Sequence, residues 1–87
     1  MDIGWDKAKA RANELKHGVS FADASDVLND PMSIVLEDNS HREQRFQAIG
    51  GDGGGRVLAV IFTYRGDRYR IISARKAVKW ERQLYEE

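Results

Sequence analysis

Gly50-Gly51-Asp52-Gly53-Gly54-Gly55-Arg56-Val57-Leu58-Ala59-Val60-Ile61-Phe62-Thr63-Tyr64-Arg65-Gly66-Asp67 is the run from which the architecture can be read. So many glycines in residues 50–55 cost backbone entropy in any regular element, so this part reads as a flexible hairpin loop. Residues 57–62 are the most apolar segment of the chain, as expected of a central strand covered on at least one face. Arg65-Gly66-Asp67 then turns the chain. Residues 68–73 return as a final strand, in which alternation sets Arg68, Arg70 and Ile72 on one face and Tyr69, Ile71 and Ser73 on the other.

Upstream of the glycines, residues 33–37 with Ile34-Val35-Leu36 and residues 45–49 read as two more strands, joined by the polar loop 38–44. Two helices precede them. Asp6 is a good N-cap for the first, whose apolar positions Trp5, Ala8, Ala12 and Leu15 recur at helical spacing, and Gly18 ends it in the left-handed conformation. Lys9, Asn13 and Lys16 form a second stripe, expected to face away from the core. Ser20 caps the second helix, with Phe21, Ala24 and Leu28 turned inward, and Asp30-Pro31 stops it. Downstream, residues 74–85 read as a last helix with Ala77, Trp80 and Leu84 buried and a cationic stripe of Arg75, Lys79 and Arg82. The order ααββββα predicts an α+β two-layer domain, an antiparallel sheet of about four strands with two N-terminal helices and one C-terminal helix, spanning residues 1–87 as a single unit.

Eighty-seven residues support one small core, and with no cysteine that core has neither disulfides nor thiolate zinc to supplement it, which fits a reducing compartment. No apolar run approaches the roughly 20 residues of a membrane span, and the N-terminus lacks signal-peptide blocks, so a cytoplasmic protein without a membrane partner is expected. Net charge is zero, but it is unevenly spread. Residues 26–52 carry two arginines against six acids, whereas residues 53–87 carry eight basic residues against four acids. A basic C-terminal third suits phosphates, although ordinary surface charge gives the same pattern.

Ser73-Ala74-Arg75-Lys76 fits S-x-x-K, but the body and further motifs of the enzymes that use it are missing; the glycine loop lacks the Lys-Ser or Lys-Thr of a P-loop. His17 and His41, far apart in sequence, assign no metal site, and no cofactor is expected. What the chain offers is the equipment of metal-free RNA cleavage: arginines and lysines to neutralise a phosphorane, and a histidine, carboxylate, lysine or tyrosine to move protons. RNA supplies its own nucleophile, the 2′-hydroxyl, whose attack leaves a cyclic phosphate.

Trp5-Asp6-x-x-Lys9-x-x-x-Asn13-x-x-Lys16-His17-Gly18-Val19-Ser20-Phe21-x-x-Ala24, then Glu43-x-Arg45 and Ile49-Gly50, then Arg70-Ile71-Ile72-Ser73-Ala74-Arg75-x-Ala77-x-x-x-Glu81-Arg82-x-x-Tyr85, resembles the BrnT family of toxins over nearly the whole chain. The resemblance implies a RelE-like fold, a toxin of a type II toxin-antitoxin system that cuts RNA and blocks translation, and a BrnA-like antitoxin encoded beside it and expected in a heterotetramer with it. It also implies corepression through that partner, without direct DNA contact. Trp80 stands where the family pattern leads one to expect a basic residue.

Catalytic candidates are His17, Arg70, Arg75 and Glu81; RNA-binding candidates are Lys9, Lys16, Lys79, Arg82 and Tyr85. Each has a second reading. His17 is an acid-base group or a helix-terminal cap. Arg70 and Arg75 are phosphate ligands or partners of acids such as Glu81, which itself orients an arginine or transfers a proton. Lys9 and Lys16 contact RNA or form a solvated face, and Tyr85 stacks a base or packs against core or antitoxin. The rival to the ribonuclease is a non-catalytic RNA-binding or corepressor module.

Overall fold

In the computed structural model, which describes residues 2–39 and 42–87, the helix signals of the first third act where the sequence places them. Asp6 caps α1 (Lys7–His17) by accepting the Lys9 N–H, and Gly18 closes it at φ 69°, donating its N–H to the Glu14 carbonyl. Ser20 caps α2 (Phe21–Leu28) through the Asp23 N–H. Besides β1 (Ile3–Gly4), the strands are β2 (Ile34–Asp38), β3 (Arg45–Gly51), β4 (Val57–Arg65) and β5 (Arg68–Lys76), and α3 (Lys79–Glu86) ends the chain. His41 lies outside the described residues.

The sheet has five strands in the order β1-β5-β4-β3-β2, antiparallel except that β1 lies parallel to β5. The additional strand is only two residues long, too short to leave a pattern in the sequence. One face carries Ala48, Leu58, Val60, Phe62, Ile71 and Ala74, and it is covered by Phe21, Ala24 and Val27 of α2, by Val19 from the α1–α2 connection and by Ala10 of α1. Ile72 is an extra residue on β5, because Ser73 pairs with Ile61 while Ile71 pairs with the next residue, Phe62. That bulge lets Ile71 and Ala74, three apart, face the same core.

Three readings are corrected. The last helix begins at Lys79 rather than at residue 74, since the ladder with β4 holds β5 extended through Lys76 and takes Ala74 and Arg75 as partners of Val60 and Ala59. The inward side of α3 is Glu81, fully buried, whereas Trp80 is 56 % exposed. The inward side of α1 is Asn13 with Ala10, whereas Leu15 is 85 % exposed. The reason is a shortage of strand partners. Beyond Arg70, β5 has no strand neighbour on its outer side among the described residues, and the Asn13 side chain takes that place: its Nδ2 donates to the Ala74 carbonyl (2.8 Å) and the Val19 carbonyl (3.1 Å), and its Oδ1 accepts the Ala74 N–H (3.1 Å). A side-chain amide thus stands in for a peptide group, and a polar residue is drawn inside.

The glycine loop is also tied down. Asp52, 8 % exposed, accepts the N–H groups of Gly54 and Arg56 and pairs with Arg56 Nε at 2.8 Å, and Arg56 in turn reaches the Gly18 carbonyl and the Asp23 carboxylate.

Candidate nucleic-acid interface

The face of the sheet opposite α1 and α2 is where the cationic side chains gather. Register carries the pattern across the strands: Gln47 pairs with Ile61 and Ile61 with Ser73, Ala59 pairs with Arg75, Thr63 with Arg70, and Arg65 with Arg68. Asp38 lies opposite Arg45, and one step beyond the Phe46–Phe62 pair brings Arg45 level with Thr63, whose hydroxyl donates to the neighbouring Gln44 carbonyl. Since cross-strand partners share a face, Arg45, Arg65, Arg68, Arg70 and Arg75 all belong to this side. Arg68 and Arg75, seven residues apart on β5, stand roughly 20 Å from each other.

α3 covers one end of this face. Glu81 is fully buried and accepts four hydrogen bonds: two from Arg75 at 2.7 and 3.0 Å, one from the Val78 N–H at 2.9 Å, and one from the Gln47 amide. Burial pushes its carboxyl up, but the Arg75 guanidinium and the other donors outweigh that and hold it below the usual value. The same pair raises Arg75 above the ordinary arginine value. With every oxygen engaged, Glu81 is built to aim Arg75 rather than to exchange a proton with solvent. The Arg75 side chain remains 39 % exposed.

The Arg70 side chain makes no hydrogen bond or ion pair with any described residue. Arg45 Nε is the only buried side-chain nitrogen or oxygen among the described residues left without a partner. Unpaired guanidinium groups on one surface are what an anion-binding face requires.

Of the other candidates, Lys9 and Lys16 are exposed on α1. At 100° per residue they fall to one side of Asn13 and Ala10 to the other, so the two lysines lie on the flank beside the outer edge of β5 while Ala10 packs on the core. His17, half-buried, falls on the Ala10 side. The structure therefore does not bring His17 beside Arg75 and Glu81. Lys79 is exposed, and Arg82 donates to the Ala77 carbonyl and lines a cleft with Arg56 and Lys76 at the glycine-loop end. Arg75, on a strand, does not share a helix stripe with them. Tyr85 donates its hydroxyl to Asp30 at 2.6 Å, a bond that raises the tyrosine and lowers the aspartate, and so anchors the end of α3 beside Gly51. On α3 the glycine-loop flank holds Arg82 and Tyr85; Trp80 and Leu84 fall on the opposite flank, which looks along the sheet toward Arg70. Sequence reasoning did not single out Arg45, Arg65 or Arg68, although strand alternation had already put Arg68 beside Arg70.

Among the described residues no three His, Asp or Glu side chains cluster to hold a metal, and no helix is long and apolar enough to cross a membrane.

The model of the BrnT family, the ribonuclease toxin of type II toxin-antitoxin systems, matches residues 5–81. The chain belongs to the BrnT family. Its BrnT fold is similar to the 1.1 Å crystal structure of the Brucella abortus ribonuclease toxin BrnT, with a TM-score of 0.73 and 34 % identity over 91 % of this chain and 99 % of that one. No curated protein sequence matches it.

Proposed function

We propose that this BrnT-family chain is a metal-independent endoribonuclease that cuts RNA on the open face of its sheet, inhibits translation in the cytoplasm, and is neutralised by a BrnA-like antitoxin in a heterotetramer. The observation that carries the reading is the set of arginines on that face, with Arg70 unpaired and Arg75 aimed by a buried carboxylate.

Arg70 and Arg75 neutralise the non-bridging oxygens of the scissile phosphate and the charge that grows on them as phosphorus becomes five-coordinate. The 2′-oxygen forms its bond to phosphorus as its proton leaves, the bond to the 5′-oxygen breaks, and that oxygen takes up a proton. The products are a 2′,3′-cyclic phosphate and a 5′-hydroxyl. Glu81 positions Arg75. Lys9 and Lys16 hold the backbone where the RNA crosses the β5 edge, with Lys79, Arg82 and Tyr85 on the α3 side, while His17, on the other flank of α1, serves as its helix-terminal residue.

Purified chain incubated with RNA in excess chelator tests the reading. Cyclic-phosphate ends are expected, and their loss in Arg70→Ala with binding reduced but folding intact. Binding without any cleavage would instead establish the non-catalytic module. His17→Gln is expected to leave the cleavage rate unchanged, and a loss of cleavage with folding intact would return the proton transfer to this side chain.

A further inference from the structure

At the turn between β4 and β5 three guanidinium groups crowd one place. Arg65, Arg68 and Arg70 line a single cleft of about 200 Å³ together with Gly4, Trp5 and Tyr69. Arg65 and Arg68 are direct cross-strand partners, an arrangement in which like charges oppose folding. Little offsets that repulsion. The ion pairs they make are long and wet: Glu43 lies 3.8 Å from Arg65 and is 43 % exposed, Asp2 lies 3.9 Å from Arg68 and is 77 % exposed, and the Arg70 side chain has no acid partner among the described residues. Gly4 pairs with Arg70 in the sheet, and a Cβ at Gly4 would lie in van der Waals contact, 3.6 Å, with the Arg68 terminal nitrogen, so a larger side chain at this position would reach over the guanidinium groups.

We propose that Arg65 and Arg68 form a phosphate-binding subsite at the far end of this cleft from the Arg75–Glu81 pair, which holds a backbone phosphodiester of the RNA other than the one that Arg70 and Arg75 engage at the bond being cut. A phosphoryl group there offsets the repulsion between the paired arginines more closely than their long, exposed ion pairs do, and their forked donors converge on its oxygens. The RNA half of this proposal rests on the ribonuclease reading; the anion site itself does not. The roughly 20 Å between Arg68 and Arg75 gives the subsite its function, which is to fix the register of the strand on the sheet.

Two measurements on the full chain test it. First, thermal unfolding is followed in inorganic phosphate and in chloride at equal ionic strength. Phosphate is expected to raise the midpoint of the wild-type chain and to raise it much less in Arg65→Gln/Arg68→Gln and in Gly4→Leu, which blocks the mouth without removing charge; equal shifts in all three overturn the subsite. Second, binding of a non-cleavable 2′-deoxy single strand is titrated against salt. The double variant is expected to bind about tenfold more weakly at low salt and to lose about 0.7 from the log–log slope for each phosphate contact removed. During cleavage the loss is expected in KM rather than kcat. An unchanged slope and KM overturn the subsite while leaving the nuclease standing. Phosphate stabilisation with no RNA cut by the wild type leaves the anion site and overturns the ribonuclease reading with the RNA register.

Discussion

Replacing Glu81 by Gln keeps the shape of the side chain and removes its charge, so it isolates what the carboxylate does under α3. Breaking a buried ion pair by deleting one partner costs about 3–5 kcal/mol, because the other charge is left uncompensated. Glu81 is fully buried, but Arg75 is 39 % exposed and recovers part of its hydration, which lowers the expected cost to about 2–3 kcal/mol. For a domain of this size each kcal/mol lowers the unfolding midpoint by about 4–8 °C, so Glu81→Gln is expected to melt roughly 10–20 °C earlier. Differential scanning calorimetry and urea titration measure this directly. The double variant Arg75→Met/Glu81→Leu is expected to be more stable than Glu81→Gln, since it leaves no orphaned charge. A midpoint within about 2 °C of wild type would refute the reasoning, because no buried pair of this geometry can then be holding α3 on β5.

Asn13→Asp turns a donor that faces two carbonyl oxygens into an anionic acceptor, and a loss of about 3 kcal/mol or more is expected in urea unfolding, with Asn13→Ala less severe. Acid should act through three carboxylates held below their usual values: Asp30 by Tyr85 and two backbone N–H groups, Asp52 by Arg56, and Glu81, against its burial, by Arg75. Groups lowered in the folded state contribute stability above their unfolded values, so the urea midpoint is expected to stay level from pH 7 to about 5 and to fall below about pH 4, less steeply in Asp52→Asn. Trp80, exposed on the flank of α3 that overlooks the open face, should be quenched when a 2′-deoxy strand binds, and Trp80→Ala should weaken that binding by about 1–3 kcal/mol if a base stacks on it.

The helix boundaries that depend on local chemistry were legible: Asp6, Gly18, Ser20 and Pro31 act through hydrogen bonds and φ angles within a few residues of themselves. Those set by distant partners were not. Nothing between residues 73 and 79 breaks a helix, and only pairing with Ala59 and Leu58 keeps Arg75 and Lys76 extended. Asn13 reads as solvent-facing until β5 is seen to lack a neighbour, and Leu15 reads as core for the same reason. At the candidate site, alternation along β5 put Arg68 and Arg70 on one face, and the family pattern marked Arg75 and Glu81. Arg65 was absorbed into a turn because its part depends on which residue faces it across the hairpin.

Arg56 joins three stretches of backbone through one planar group: the loop at Asp52, the end of α1 at Gly18, and the first turn of α2 at Asp23. In a chain without cysteine that guanidinium serves as a reversible cross-link between the helical corner and the β3–β4 hairpin. The two halves it joins therefore come apart together, and within the segment richest in glycine the amides bonded to Asp52, those of Gly54 and Arg56, exchange late rather than early.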